Sequence, residues 1–284
     1  MKLKYIKANP SGNTTVFITS PVPRHLYPSI ASIIMKPEYL AAEQVGYIEP
    51  SLKITEGVHL EMMAGEFCGN ASRCFAAWQV MKKGGTTNND NIISLNIDVS
   101  GTKNILPASV KMTNDAYTYD VNVEMPLPQK ILLGKDLELG EYGIVDFNGI
   151  VHLVLWNIKP DVKYIELAYR ILSDIGISDD AIGLMFLNTQ SLSMSMTPLV
   201  YIKNLKSLIW ENSCGSGSSA VAAILSIKSR KNITQALLQP GGILTVNAVW
   251  DDDMNQIRKI YLSGRINFTS EGTLYIPSED DLPR

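Results

Sequence analysis

The segment EFCGNASRCFAAW, residues 66–78, places a cysteine directly before Gly-Asn, where a helix is predicted to begin. The segment WENSCGSGSSAVAA, residues 210–223, repeats this order of Cys-Gly, small polar residues and an alanine-rich apolar run. The two predicted helices run from about Gly69 to Lys83 and from about Gly215 to Lys228. Because their Ala, Ser and Gly residues allow close approach on all sides, each helix is expected to lie inside a strongly curved sheet.

Most of the remaining sequence is rich in β-branched and aromatic residues, which predicts strands. The clearest segments are residues 13–20, 91–100, 117–125, 149–158, 241–250 and 257–266. A third helix is predicted at 162–176, where apolar residues recur at helical spacing. The aspartate-rich connector at 251–256 is interpreted as a hairpin turn with solvated charge rather than as a metal site.

Strands, a Cys-Gly helix and further strands occur twice, which predicts an α/β (α+β) fold of two similar halves. Each half is expected to be a curved mixed sheet or barrel wrapped around a central helix. The two prolines within residues 124–130 mark a crossing point between the halves. The predicted domains are 1–124 together with 267–284, which carries Cys68, and 125–266, which carries Cys214.

Composition excludes several functional classes. The net charge of the 284 residues is −3, and no basic run interleaved with aromatic residues suggests nucleic acid as a partner. Neither a signal peptide nor a run of about 18 apolar residues is recognisable, which predicts a cytoplasmic protein without a membrane partner. In that compartment thiols stay reduced, so the three cysteines do not predict disulfides. The scattered histidines and cysteines lack zinc-like spacing, and no metal is expected.

A thiol at a helix N-terminus lies among unpaired N–H groups and at the positive end of the helix dipole, which lowers its pKa. Two such thiols suit the inversion of an α-carbon, which needs a base on one face and an acid on the other. The candidate thiols are Cys68 and Cys214, and the residues whose N–H groups could hold a substrate carboxylate are Gly69, Asn70, Gly215 and Ser216.

Other interpretations of these motifs are less favourable. Cys74, inside the first helix, is interpreted as a small buried hydrophobe. The segment GSGSSA, residues 215–220, matches a dinucleotide-binding G-x-G-x-x-A, but no acidic residue follows near 20 positions further on. The segment SCGSGS does not match the G-x-S-x-G elbow of hydrolases.

Together the two cysteine motifs resemble those of the diaminopimelate epimerase family of cofactor-independent amino-acid racemases and epimerases. FCGNASRC resembles the first motif of the family, Cys-Gly-Asn-x-x-Arg-Cys, and SCGSGSSA resembles the second. The 146-residue separation between Cys68 and Cys214 is similar to that of the family, and weaker similarities extend over nearly the whole chain. The resemblance implies a diaminopimelate epimerase-like fold and an isomerase that acts on a small amino acid and needs no cofactor.

The resemblance also implies roles for individual residues. Cys68 and Cys214 match the two acid/base thiols, while Asn13 and Gln44 match positions that line the site of the family. His152 matches a histidine near the thiols; without the resemblance it would be interpreted as a hydrogen-bonded strand histidine.

Departures from the family pattern concern the part of the site that holds the distal end of diaminopimelate. Ile150 and Gly183 stand where asparagines are expected, His59 falls near a further asparagine, and a Glu-Arg pair is missing before the second cysteine. A distal carboxylate and ammonium would have no partners at Ile150 and Gly183. The resemblance therefore implies the reaction of the family with a different substrate.

Within the family, NPSGN, GEFCGNAS and WENSCGSGSS most resemble the histidine racemases that supply D-histidine for staphylopine-type opine metallophores. This implies conversion of L-histidine to D-histidine. Candidates for recognising the imidazole or amino group are Glu43, Gln44, His59, Trp210 and Glu211. Glu211 is equally well interpreted as a carboxylate near a helix start, whereas a surface charge is slightly favoured for Glu43 and a core aromatic for Trp210.

Alternatives stay open at this point. Proline or hydroxyproline racemases carry a similar second motif, and diaminopimelate epimerase shares the chemistry. A non-catalytic binder on the same fold would need neither thiol, and a thiol-redox protein would normally use neighbouring cysteines. Activity is expected to require a reductant, because a disulfide between the two thiols would abolish it. A homodimer is compatible with the sequence.

Overall fold

The two halves of the chain form two compact units. The first consists of Met1–Glu124 with Ser263–Arg284, and the second of Met125–Leu262. The second boundary therefore lies at Leu262/Ser263 and not at the predicted 266/267, because one long strand, Gln256–Tyr275, contributes to both units. A computed structural model describes residues 1–84, 91–147, 149–179, 181–203 and 207–282.

The described residues of the first unit form the α-helices α1 (Tyr27–Ile34) and α2 (Gly69–Lys82). Its strands are β1 (Lys2–Asn9), β2 (Thr15–Ile18), β3 (Gln44–Pro50), β4 (Val58–Met62), β5 (Ile92–Val99), β6 (Leu106–Met112) and β7 (Thr118–Met125). These strands neighbour one another in chain order, with parallel pairs at β2/β3 and β4/β5. The long strand, β16 (Gln256–Tyr275), lies beside β7 and pairs with β1, which closes the sheet of this unit into a barrel.

The second unit contains α3 (Tyr164–Asp174) and α4 (Gly215–Ser229). Its strands are β8 (Lys130–Asp136), β9 (Gly140–Asp146), β10 (Val151–Trp156), β11 (Ala181–Asn188), β12 (Ser195–Ile202), β13 (Ser207–Trp210), β14 (Ile233–Gln239) and β15 (Gly242–Asp251). The order is β8-β9-β10-β11-β12-β14-β15, with β13 paired to β12 and parallel pairs at β10/β11 and β12/β14.

The two units repeat one connection pattern. In each, an antiparallel pair leads through a surface helix to a parallel neighbour, and an antiparallel strand and the cysteine-led helix follow. Helix α1 therefore corresponds to α3, and α2 corresponds to α4. Helix α1 is missing from the sequence-based prediction, whereas all six predicted strand segments coincide with strands. The predicted mixed α+β fold with a central helix in each half is confirmed.

The cysteine-led helices occupy the centres of their units. In α2 the buried residues include Asn70, Arg73, Cys74 and Phe75, so the helix is enclosed on more than one face. Helix α4 contacts β9, β10, β14 and β15, and Gly217 lets it approach β11 closely, since a Cβ there would lie 2.1 Å from Met185 Sδ. No helix in the described part of the chain is long and apolar enough to cross a membrane.

Candidate active site

Cys68 is the N-cap residue of α2. Its extended backbone (φ −128°, ψ 110°) places Sγ 3.4 Å from the backbone nitrogen of Ala71, which donates a hydrogen bond to the sulfur. The Cys68 carbonyl oxygen also accepts from the Ser72 nitrogen and hydroxyl. A cap acceptor at this position is usually an oxygen of Ser, Thr, Asp or Asn, so the thiol takes a place that favours a negative charge.

Cys214 occupies the same position in α4. Its backbone (φ −120°, ψ 112°) is similar, and its Sγ accepts a hydrogen bond from the Gly217 nitrogen at 3.4 Å. The Ser218 nitrogen and hydroxyl bond the Cys214 carbonyl oxygen. Both cysteines thus start a central helix with one capping geometry, as the repeated Cys-Gly motif predicts. Gly69, Asn70, Gly215 and Ser216 are the first two residues of each helix, where N–H groups lack intrahelical acceptors.

Gln239, at the end of β14, holds the second cysteine in place. Its side-chain oxygen accepts from the Cys214 nitrogen at 2.8 Å, and its amide nitrogen donates to the Ser218 hydroxyl at 2.9 Å. Gln239 is buried, so both bonds are protected from water. Gln239 is absent from the residues predicted from the sequence. Strand alternation places Gln239 on the buried face with Leu237, but the partner of a buried amide is set by the fold.

His152 lies on β10 and is completely buried. Its Nε2 is 2.9 Å from the Ser216 hydroxyl oxygen, which in turn lies 3.6 Å from Cys214 Sγ. Burial lowers the pKa of His152 to about 3, so the imidazole is neutral at physiological pH. Among the described residues, Nδ1 has no hydrogen-bond partner, which favours the tautomer in which Nε2–H donates to Ser216. The Ser216 hydroxyl can then donate to the Cys214 sulfur.

Glu211 adds a negative charge next to Cys214. The pKa of the Cys214 thiol is raised well above its ordinary value by burial first, and then by the charge of Glu211 and a hydrogen bond to it. Bonds from the Ser216 hydroxyl and the Gly217 nitrogen act in the opposite direction. Because burial and Glu211 prevail, Cys214 is held as a thiol, the form that can donate a proton. The hypothesis of a carboxylate near the helix start fits this position of Glu211.

Cys74 has a structural role. It is fully buried inside α2, and burial raises the pKa of its thiol to about 12. Such a thiol stays protonated and out of reach of a substrate, as expected for a small hydrophobe.

Asn13, Glu43 and Gln44 lie together next to β2 and β3. Asn13 is buried and donates a hydrogen bond from Nδ2 to Glu43 Oε2 at 3.1 Å. The backbone nitrogens of Glu43 and Gln44 both bond the Thr14 carbonyl oxygen. Asn13 Oδ1 is buried without a hydrogen-bond partner in the described part of the chain. It is therefore available to accept a hydrogen bond from a ligand.

His59, on β4, lies among charged side chains of β4 and β5. Its Nδ1 is 3.0 Å from Asp98 Oδ2 and its Nε2 is 3.1 Å from Glu61 Oε2. Asp98 also pairs with Lys53, and Glu61 with Arg24. A direct hydrogen bond from His59 to a substrate would require one of its two carboxylate contacts to break.

Trp210 is not a core aromatic. It ends β13 with 44% of its surface exposed, and its ring lies 6.0 Å from that of Phe186. The aspartate-rich connector forms the turn between β15 and β16, as expected. No cluster of three or more His, Cys, Asp or Glu residues suited to a metal occurs within the described ranges.

Comparison with known proteins connects this geometry to a family. The family model "Histidine racemase CntK N-terminal domain" matches residues 2–275. A curated relative, the histidine racemase of Fusobacterium nucleatum subsp. nucleatum, is 34% identical over 283 residues, which cover 96% of this chain and 97% of the relative.

Solved structures with low sequence identity show the same fold. A hydroxyproline epimerase from Agrobacterium vitis has a TM-score of 0.66 at 10% identity, covering 98% of this chain and 94% of that one. A phenazine biosynthesis protein of the PhzF family from Bacillus anthracis has a TM-score of 0.65 at 14% identity, covering 97% and 99%. The fold is therefore that of these epimerase and PhzF structures, and by its sequence the chain belongs to the histidine racemase family.

Proposed function

We propose that this protein interconverts L-histidine and D-histidine without a cofactor, by a two-base mechanism in which Cys68 and Cys214 are the acid and the base. A thiolate removes the α-proton from one face of the amino acid, and a thiol donates its proton to the opposite face. In the reverse direction the two sulfurs exchange roles. Each turnover transfers no net proton to the protein, but it exchanges the protonation states of the two sulfurs, which are restored by proton exchange with solvent.

The observation that carries this proposal is the shared geometry of the two cysteines. Each sulfur caps a central helix and accepts the backbone N–H three residues ahead. Only these two cysteines have a capping role, while Cys74 lies inside a helix. The first N–H groups of each helix can bind the α-carboxylate and stabilise the enolate-like charge that forms when the α-proton leaves.

Histidine as the substrate is supported by the name of the family and of the relative that is 34% identical. Polar groups of the first unit suit an amino acid with an ammonium group. The buried Asn13 Oδ1 is free to accept from that ammonium, and the Glu43 carboxylate beside Asn13 would balance its charge. We propose Gln44, Trp210 and the cluster around His59 as the groups that select the side chain.

The reducing environment that keeps these thiols active is that of the cytoplasm, where we expect the enzyme to work. The resemblance to histidine racemases of opine-type metallophore synthesis supports D-histidine as the product that is used. A homodimer is compatible with this role.

Proton NMR in D2O tests the proposal. Reduced protein is incubated with L-histidine, L-proline, trans-4-hydroxy-L-proline or diaminopimelate, and loss of the α-proton signal is followed by chiral separation of the product. We expect exchange with inversion for histidine, and loss of inversion in both Cys68→Ser and Cys214→Ser. Cys74→Ala is the matched control and should remain active. Inversion of proline alone would replace histidine as the substrate, and full activity in either Ser variant would refute the two-base mechanism.

A further inference from the structure

Arg73 is a buried cation that the proposed mechanism does not yet use. It lies in the first turns of α2 with no exposed surface, and it is the largest fully buried side chain in the described part of the chain. Its Nη2 donates to Asn70 Oδ1 at 2.7 Å. Within the described residues, Nε and Nη1 have no hydrogen-bond partner. A guanidinium in this state is costly to bury, because two donor groups and a full charge lose their hydration.

The groups that act on Arg73 identify its counter-charge. No carboxylate in the described part of the chain forms a salt bridge with it. Two thiols belong to the same helix: Cys74 is the next residue, and Cys68 caps the helix about one and a half turns before Arg73, with Asn70 between them. Both thiols favour the charge of Arg73, Cys74 more than Cys68. Cys74 stays neutral, since burial raises the pKa of its thiol to about 12. Burial lowers the pKa of Arg73 to about 10, so the guanidinium is still charged at neutral pH.

We propose that Arg73 is the internal counter-cation of Cys68: it stabilises the Cys68 thiolate from inside the barrel and fixes the side chain of Asn70 beside it. The buried guanidinium is thereby balanced by the thiolate and not by a carboxylate. Arg73 is a positioning residue that acts through Cys68 and Asn70, and it does not contact the substrate. This inference deepens the proposed function, because the catalytic role of the Cys68 thiolate rests on that function.

The two cysteines therefore have unlike surroundings. Cys68 has a cation behind its helix start, whereas Cys214 has the carboxylate of Glu211 and the neutral imidazole of His152, which reaches it through Ser216. A cation favours the thiolate, and a carboxylate favours the thiol. Before substrate binds, Cys68 is accordingly the sulfur prepared to accept a proton and Cys214 the sulfur prepared to donate one.

Alkylation kinetics of Cys68 test this role without any amino acid substrate. Reduced protein is treated with iodoacetamide between pH 5 and 10, and modification at Cys68 is measured by peptide mass spectrometry. Arg73→Met keeps much of the side-chain volume and removes the charge. In this variant we expect the midpoint of the Cys68 alkylation rate against pH to move to higher pH. The rate at neutral pH should fall about tenfold, as for a thiol that loses a nearby opposite charge. Arg73→Lys, which retains the charge, should recover most of the rate.

Arg265→Met is the matched control, because Arg265 is an exposed arginine of the same unit that pairs with Asp120 at 3.0 Å. It should leave the Cys68 profile unchanged. Circular dichroism establishes that each variant is folded, and if Arg73→Met does not fold, the neutral polar Arg73→Gln is compared with Arg73→Lys in its place. A folded neutral variant with the wild-type profile would overturn the proposal.

The assay also separates this proposal from the proposed function. A shifted Cys68 profile in a protein that inverts no amino acid would leave the counter-cation in place and refute only the racemase activity. An unshifted profile in a protein that racemises histidine would refute only the counter-cation.

Discussion

His152 on β10 lies directly opposite Gly183 on β11, and a Cβ added to Gly183 would approach His152 Nδ1 to 2.2 Å. Because Gly183 has no side chain, the imidazole of His152 has room to lie next to Ser216. The departure of Gly183 from the asparagine of the epimerase pattern thus has a local consequence, because even a methyl group would displace the ring. The hydrogen bond of 2.9 Å between His152 and Ser216 depends on that space.

Gly183→Ala should therefore impair catalysis while the fold is retained. Displacement of the imidazole moves Ser216 and through it the Cys214 sulfur, and misplacement of this kind costs roughly 10- to 100-fold in kcat/KM. Gly272→Ala is the matched control, since a Cβ there would meet only ordinary contacts, the nearest at 3.4 Å from Tyr5. Steady-state racemisation kinetics provide the comparison. Equal kcat/KM values for the two variants would show that the space left by the absent side chain of Gly183 has no role in catalysis.

Glu211→Gln should make the Cys214 thiol more acidic. The carboxylate charge of Glu211 raises the pKa of this thiol, whereas the Ser216 hydroxyl lowers it. Removal of the charge should therefore shift the alkylation profile of Cys214 to lower pH, and Ser216→Ala should shift it to higher pH. Glu138→Gln, at an exposed turn of the same unit, should have no effect. If Glu211→Gln and Ser216→Ala shift the alkylation profile of Cys214 in the same direction, the opposite effects of these two residues on the thiol pKa are disproved.

The stability of the protein should depend on His152 in acid. Since burial lowers the folded-state pKa of His152 from 6.5 to about 3, the unfolded chain binds an extra proton between these values. The contribution of His152 is therefore complete above about pH 6.5 and is lost as pH falls towards 3, by roughly 1.4 kcal/mol per pH unit. His152→Gln lacks this titration. Urea unfolding at pH 4 to 7 should give a shallower acid slope for the variant, and parallel curves would disprove the assignment.

Gln239→Leu should destabilise the fold at the start of α4. The buried Cys214 N–H would lose its acceptor, and an unsatisfied buried donor costs about 1–3 kcal/mol. Gln235→Leu, on the same face of β14 but only half-buried, should change the free energy of unfolding by about 0.5 kcal/mol or less. Equilibrium urea unfolding measures both. Equal losses would show that Gln239 does not act through Cys214.

Local sequence signals predicted the two central helices because their start is encoded in adjacent residues. Cys-Gly followed by small residues defines the cap, and the observed helices begin at Gly69 and Gly215 as expected. Helix α1 was missed because Pro28 and three isoleucines obscure the helical pattern of a segment of eight residues. The duplication could have indicated α1. The predicted α3 follows the second strand of its repeat, which implies a matching helix in the first unit.

Contacts between distant segments could not be predicted in the same way. Gln239 reaches Cys214 from a strand that follows the helix, and the link from His152 to Ser216 joins residues 64 positions apart. His59, a proposed substrate-recognition residue, lies opposite Asp98 because β4 pairs with β5. Its ring is thus held between carboxylates. Sheet register determines such neighbours, and it is a property of the assembled barrel.

The unequal surroundings of the two sulfurs have a thermodynamic consequence. L- and D-histidine have equal free energies, so the equilibrium constant for their interconversion is one, whatever the enzyme contributes. For the proposed reaction the values of kcat/KM in the two directions must therefore be identical, although the proposed counter-cation Arg73 acts on one sulfur and Glu211 on the other. Asymmetry between the two halves can therefore change kcat and KM only in the same proportion, so that the enantiomer with the lower KM also has the lower kcat.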